Sequence, residues 1–513
     1  MAELIKPTIG KTVLETLTSG MYDDARFVFR EYIQNAADQI DEAFELGILK
    51  EKSEGKIDII IDYDNRKITI KDNATGVREK DVVRLLGDVA NSQKDSTKRK
   101  GFRGIGRLGG LGYCDKLIFE TSYQGESIKS KMILNAKLLK KIIENREDNS
   151  DATAAMSVIT LEDPPIAEDI DKHYFSVILE NVHNDNLLDV DFVTEYLSMV
   201  APVPFSSSFT FTDEIKTYLK SRNLLLDEYN IEINTKTLFK RYKNTFSGKN
   251  EQESKLIGVD FFDILNDEQD LLAVCWYGYR EQSNYILDDS DSERGIRIRT
   301  KNIAIGDESV SDRFFGQKRT TLRFIGEIHT ISDGFIPNAR RDYFTENVTY
   351  QQFEKNIKEI LEVENLENRL AQTASTLFSR LKEIHKYQET FQEFKDKKGS
   401  FENAATESFH MNRLKELEEK AAKAKIVIEK INVKSNNSEN VKNLFKSIVG
   451  NKDLSVKYLS GEDLKISKYT PPTFEKLNEV QRSVVLEIFE ILEEELDFDL
   501  SELIKKRIVE KYN

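Results

Sequence analysis

REYIQNAADQIDEA, residues 30–43, decides how the rest of this chain is read. Phe29, Ile33, Ala36 and Ile40 recur at helical spacing and form an apolar stripe. Glu31, Asn35 and Asp38 fall at i, i+4 and i+7 and form a second stripe roughly opposite. A solvated face is the ordinary destiny of such a polar stripe. Asn is a poor mid-helix residue, however, so its place in the row asks for another reason.

Working outward, KIDIIIDYDNRKITI (56–70) alternates apolar and polar residues on both sides of a turn at Asp64 and Asn65, which predicts two short strands. Asp72 stands where the second strand runs out into DNATGV. Residues 85–113, from LLGDVANSQKDSTKRK into GFRGIGRLGGLGY, read as a polar, glycine-rich loop. KLIFETS, MSVITLE (156–162) and FSVILENV (175–182) read as further strands, and VDFVTEYLSMV as a helix before the two prolines of APVPF.

Between residues 206 and 345 the pattern is mixed, with strands expected at LLAVCWYGY, GIRIRTKNIAI and TLRFIGEIHTI ahead of the loop DGFIPNARRDYF. From Pro337 to Pro471 no proline intervenes, and Leu370, Leu377, Ile384 and Phe391 keep a seven-residue interval. A short coiled coil and an ordinary helical core both fit that spacing, with a break near Lys398 to Ser400.

A chain of 513 residues is too long for one hydrophobic core. With 39% hydrophobic and 32% charged residues it has a globular composition, and no apolar run approaches a membrane span. The opening MAELIKPTIGK has no signal-peptide core, so a cytoplasmic location and no membrane partner are expected. Cys114 and Cys275 are far apart and outside any CxxC pair, which argues against a disulfide framework or structural zinc site. A formal charge of −15 provides no footprint for wrapping nucleic acid, which is therefore a possible but disfavoured partner.

Two nucleotide motifs fail on their context. GKT at 10–12 lacks the glycine that a phosphate loop needs where Ile5 stands. Gly104, Gly106 and Gly109 satisfy GxGxxG, but the residues before them are no buried strand. Closely spaced glycines still let backbone N–H groups approach a polyphosphate.

Taken in order, REYIQNAAD, DNATG and GFRGIG resemble the motifs of the GHKL superfamily of gyrase, heat-shock chaperone, histidine kinase and MutL ATPases. The likeness is closest to the ninety-kilodalton heat-shock chaperones, HtpG included, through TVLETLTSGMYDDARFVFREYIQNAADQIDEA, LLGDVANSQK and DGFIPNARRDYFTEN. It implies an α+β fold: a GHKL (Bergerat-type) ATP-binding sandwich over 1–190, an α/β middle domain over 191–355 and a helical or coiled-coil region over 356–513, the last unlike the chaperone's dimerisation domain.

The resemblance further implies ATP and Mg²⁺ as ligands. Asn35 would coordinate the metal, Asp72 would accept the adenine amine, Gly76 would let the backbone pass the base, and Asp38 would support the site. Gly101, Gly104 and Gly106 would cradle the phosphates. Glu31 would act as general base and Arg341 would reach the γ-phosphate from the second domain. The Gly-Thr pair that the family offers near adenine is missing, leaving Ser157 and Ser176 as substitutes, and Thr345 replaces a polar catalytic-loop residue. The implied function is an ATP-hydrolysing, chaperone-like clamp rather than a phosphotransferase, acting on a client or partner protein as a homodimer. The alternatives are an ATP-gated DNA clamp of the MutL, gyrase or MORC kind and a nucleotide-gated scaffold with little turnover.

Overall fold

The computed structural model describes residues 8–18, 20, 24–87, 106–247, 253–280, 287, 291–315, 321–322, 324–363, 366–401, 403–435, 439–450, 452–468 and 474–512. Its contacts divide the chain into two compact units, 1–372 and 373–513.

The first unit holds two sheets. The larger has eight strands in the order β5-β4-β3-β6-β2-β1-β7-β8. These are β1 (Lys56–Asp62), β2 (Lys67–Asp72), β3 (Lys116–Ser122), β4 (Ile128–Asn135), β5 (Thr160–Ala167), β6 (Tyr174–Glu180), β7 (Asn230–Ile233) and β8 (Lys236–Thr237). All pairs are antiparallel except β1 with β7. The last two strands come from residues 230–237, so this sheet draws chain from well past residue 190.

Helices α1 (Thr12–Thr18), α2 (Phe27–Glu45), α3 (Val82–Gly87), α4 (Ala136–Glu144), α5 (Ala152–Ile159) and α6 (Val190–Val200) accompany it. The apolar stripe of α2, with Phe29, Ile33 and Ile40, shares one core with Ile57, Ile59, Ile68, Ile70, Leu117, Phe119 and Leu179 of the strands. Alternating burial along β1 and β2 puts these isoleucines inward. Burying each such side chain contributes about 1.5–3 kcal/mol relative to exposure. Gly47, at φ +72°, turns the chain out of α2, and the Ile48 N–H reaches back 2.9 Å to the Ala43 carbonyl.

One sequence expectation changes here. MSVITLE is not one strand: Met156 to Ile159 finish α5, and only Thr160 onward is extended. Its continuation carries Pro164 and Pro165, which the sheet tolerates because β5 is an edge strand. Lys11 of the rejected GKT motif is nearly buried and donates to the Asn145 and Asp148 carbonyls at 2.7 and 2.6 Å, which tethers the α4–α5 connection.

The second sheet has six strands in the order β13-β12-β14-β11-β10-β9, and α7 (Thr212–Ser221) contributes Ile215 and Leu219 to its core. Its strands are β9 (Thr245–Ser247), β10 (Glu253–Leu265), β11 (Leu271–Arg280), β12 (Gly295–Thr300), β13 (Ile303–Ile305) and β14 (Ile325–Thr330). Within it Glu327 of β14 is fully buried among Lys240, Arg299 and His329.

The second unit is helical and holds the part of Leu366–Lys397 that follows residue 372 and the long helix Ala404–Ser435. Leu377, Ile384 and Phe391 are buried at the seven-residue interval, and Leu414, Ala421 and Ile428 repeat it on the next helix. Gly399, at φ +77°, breaks the first of them where the sequence predicted. The segment 452–468 is fastened to the helices by Ser467 on Glu407 at 3.0 Å and Gln388 on the Ser455 carbonyl at 2.9 Å. Both cysteines are free and buried, and no described helix is long and apolar enough to cross a membrane.

Candidate functional site

The polar stripe of α2 is not solvated. Glu31 is 7% exposed, Asp38 fully buried and Asn35 half-buried, so the helix is enclosed on both faces. Burial of two carboxylates on one helix is costly without a purpose or a partner.

Glu31 has a partner from the other sheet. Arg341 Nε lies 3.0 Å from Glu31 Oε1, with both side chains less than a tenth exposed. The loop that delivers this arginine is a tight hairpin. Pro337 bridges Phe344, the Asn338 N–H reaches the Tyr343 carbonyl at 2.9 Å, and the Gly306 N–H holds the Arg341 carbonyl at 2.8 Å. Arg341 itself sits at φ +55°, a left-handed conformation that non-glycine residues adopt at some cost when surroundings over-determine it. The preceding carbonyl, of Arg340, accepts from Arg30 Nη2 of α2 at 3.1 Å. Arg340 and Thr345 are exposed, so of the two adjacent arginines only Arg341 turns inward.

Gly106 closes the other side of Glu31. A Cβ there would lie 2.1 Å from Glu31 Oε2, so a larger residue would have to push this carboxylate aside. The short helix it opens, Gly106–Gly112, is fixed by Tyr32 of α2. The tyrosine hydroxyl donates to the Arg107 carbonyl and accepts from the Gly110 N–H, both at 3.0 Å. Gly101 and Gly104 lie outside the described residues.

Asp72 ends β2 and is 4% exposed. Burial pushes its carboxyl up to about 7, although the backbone N–H groups of Ala74 and Phe175 offset part of that. The loop beyond it is pinned on several sides. Asn73 accepts from the Lys56 N–H at 2.7 Å, Thr75 donates to Gln39 of α2 at 2.5 Å, the Val77 N–H donates to Thr121 at 2.8 Å, and His173 Nδ1 meets the Ala74 carbonyl at 2.8 Å. Gly76, at φ +67°, passes so near β3 that a Cβ would lie 2.0 Å from the Ser122 carbonyl. The strain and the clash both demand glycine.

The substitutes for the adenine-side hydroxyl fall elsewhere. Ser157 is exposed on α5 and donates to the Thr153 carbonyl. Ser176 pairs in register with Lys71, which puts it on the sheet face opposite Asp72. Phe175 and Thr121, in register with Asp72 across β6 and β3, share its face instead. Thr121, Gln39, Arg30 and Tyr32 escaped sequence reading because their roles depend on register and on hydrogen bonds to distant backbone.

Among the described residues no group of three or more His, Cys, Asp or Glu could hold a metal. A hard cation that takes most of its ligands from phosphate needs few protein donors, and the half-buried Asn35 amide between Glu31 and Asp38 suits that mode.

Residues 26–159 match the family described as histidine kinase-, DNA gyrase B-, and HSP90-like ATPase. The chain is 38% identical over 87 residues to the chaperone protein HtpG of Wigglesworthia glossinidia brevipalpis, covering 16% of this chain and 14% of that one. It is 31% identical over 128 residues to HtpG of Fusobacterium nucleatum subsp. nucleatum, covering 22% and 21%. The matches thus span about a fifth or less of those relatives' length. The ATPase region of Saccharomyces cerevisiae topoisomerase II aligns with a TM-score of 0.38 at 14% identity, covering 67% of this chain and 85% of that one. The matched residues begin at the Glu31 helix and include Asp72, Gly76 and Gly106, while Arg341 lies beyond them. The chain carries a GHKL ATPase domain of the histidine kinase-, gyrase- and HSP90-like family, similar to that of HtpG.

Proposed function

We propose that this protein binds ATP with Mg²⁺ between α2 and the Asp72 loop and hydrolyses it to drive a conformational cycle on a client or partner protein, in the manner of a chaperone. The observation that carries the reading is the meeting of Arg341, from the second sheet, with Glu31 on the nucleotide helix at 3.0 Å.

Asp72, held by two backbone N–H groups in a pinned loop, would accept the exocyclic amine of adenine, and its burial at the end of β2 supports that role. A hydrogen bond to a sheltered carboxylate is worth about 1.5–3 kcal/mol. Gly76 admits a flat base close to the β3 backbone. Asn35 would hold Mg²⁺, whose chemistry is to neutralise charge on the phosphates. Glu31 orients and deprotonates the attacking water, help typically worth about 10²–10⁴ in rate. Arg341 stabilises charge on the transferring phosphoryl and reports its presence to the second sheet. Asp38 supports the helix from beneath, and Gly101, Gly104 and Gly106 line the phosphates.

Paired ATPase domains are the usual way such closure is completed, and a homodimer held through the helical unit is part of this proposal. Single-turnover hydrolysis of Mg·ATP by the wild type and by Glu31→Ala tests it. A loss of at least about a hundredfold is expected with nucleotide still bound; equal rates would rule out the base and favour a scaffold that only closes around ATP.

A further inference from the structure

The buried charges of the second sheet take no part in the chemistry just described, yet they sit where the two halves of the site are tied together. Glu327, Lys240 and Arg299 are fully buried. Glu327 Oε2 lies 2.9 Å from Lys240 Nζ and 3.0 Å from His329 Nε2, and Oε1 pairs with Arg299 Nε. Trp276 Nε1 and the Tyr242 hydroxyl also donate to this carboxylate, at 3.3 and 3.2 Å. Lys240 donates in addition to Asn302 at 2.9 Å.

Arg299 uses its remaining nitrogens on backbone. Nη2 donates to the Met199 carbonyl at 2.7 Å and Nη1 to the Asn302 carbonyl at 2.9 Å, with the Ala201 carbonyl at 3.5 Å. Met199 lies in the last turn of α6, where carbonyls lack intrahelical donors, and Ala201 follows the helix directly, its carbonyl also accepting from the Val203 N–H at 3.0 Å. The other end of α6 is stacked on the start of α2: the Arg26 guanidinium lies 4.1 Å from the Phe192 ring and 4.6 Å from the Tyr196 ring. Five residues after Arg26 stands Glu31. Glu327 in turn lies on β14, whose continuation is the hairpin that presents Arg341.

We propose that Arg299 is a positioning residue for hydrolysis: locked to Glu327 at the root of the arginine hairpin, it grips the end of α6 and so sets where Arg341 stands relative to Glu31. The proposal rests on the reading that Arg341 serves the reaction. A guanidinium is needed because its fork bonds a carboxylate and two or three carbonyls at once, which a single ammonium cannot span. A misplacement of about 1 Å at a reacting group is enough to cost up to about a hundredfold in rate.

The test uses the full chain and Mg·ATP, with equilibrium binding and single-turnover hydrolysis measured for the wild type, Arg299→Lys, Arg341→Ala and the double variant. Arg299→Lys keeps a positive charge beside Glu327 and should lower the rate about tenfold while ATP affinity stays within about twofold. In the Arg341→Ala background it should lower the rate no further, because its effect passes through that arginine. Should Arg299→Lys fail to fold, the half-buried Arg26→Met cuts the same connection at its other end and should give the same pattern at about threefold. Parallel loss of affinity and rate, an equal further loss without Arg341, or no loss at all would overturn the proposal. An Arg341→Ala rate equal to wild type would remove the assignment of Arg341 itself, a separate failure visible before Arg299 is considered.

Discussion

Glu31 and Glu327 are both buried carboxylates paired with arginine, and their surroundings differ in one respect. Glu327 meets two cations, a histidine, an indole and a phenol, so its lone pairs are occupied. Burial pushes its carboxyl up, but Arg299, Lys240 and His329 together outweigh this and hold it well below the ordinary range. Among the described residues Glu31 is paired with Arg341, on one oxygen, while the other faces the bare backbone of Gly106. A saturated carboxylate fixes structure, because protonating it breaks several bonds at once. A carboxylate with one oxygen in hand can take a proton from water.

The largest expected effect comes from Glu327→Gln, which strands buried cations. Removing one partner of a buried ionic network typically destabilises by about 3–5 kcal/mol, so the urea midpoint of the first unit should fall sharply. The same change at Glu31 leaves a single buried arginine facing a neutral amide, so that midpoint should fall by less than with Glu327→Gln, while single-turnover hydrolysis drops by about a hundredfold. If Glu31→Gln unfolds the protein as readily as Glu327→Gln, the contrast between the two sites is wrong.

Asp72 extends the comparison to a carboxylate that pairs with no arginine among the described residues. Its folded pKa, raised to about 7, means that the stability it contributes is complete below the ordinary value of 3.8 and lost as pH rises through about 7. Asp72→Asn should therefore melt higher than wild type at pH 8, with the difference closing toward pH 5. If Asp72 accepts the adenine amine as proposed, recognition needs its ionised form, so ATP affinity should weaken by about tenfold per unit as pH falls below 7, and the asparagine variant should lose both the affinity and its pH dependence. A flat affinity profile in the wild type would detach Asp72 from the base. The smallest effect is expected for Thr75→Val, which removes the 2.5 Å bond to Gln39 and should weaken ATP binding by about three- to tenfold.

The half of the site that lies on contiguous sequence was legible. The row of Glu, Asn and Asp on one helix shows in the spacing, but its reading as a nucleotide site, together with the Asp and Gly at a strand end, comes from the resemblance of the ordered motifs to the GHKL superfamily. What stayed hidden was settled at long range. Ser176 reads as a plausible neighbour of Asp72 until strand register places it on the opposite face, where a shift of one residue decides everything. TLEDPPIA reads as a poor strand until it is seen at a sheet edge, where proline is admissible. The Glu327 cluster joins residues 240, 299, 327 and 329 through side chains that look, one at a time, like solvated charges.

The parallel pairing of β7 with β1 also bears on how the chain comes off the ribosome. The strand Lys56–Asp62 emerges well before its parallel neighbour, and its outer edge remains open until Asn230–Ile233 arrives about 170 residues later. At elongation speeds of about 5–20 residues per second that leaves an unpaired, isoleucine-rich ribbon waiting for many seconds. A shortened gene product stopping near residue 190 would carry the exposed ribbon permanently, and should precipitate or pair with its neighbours where one reaching beyond residue 240 stays dispersed.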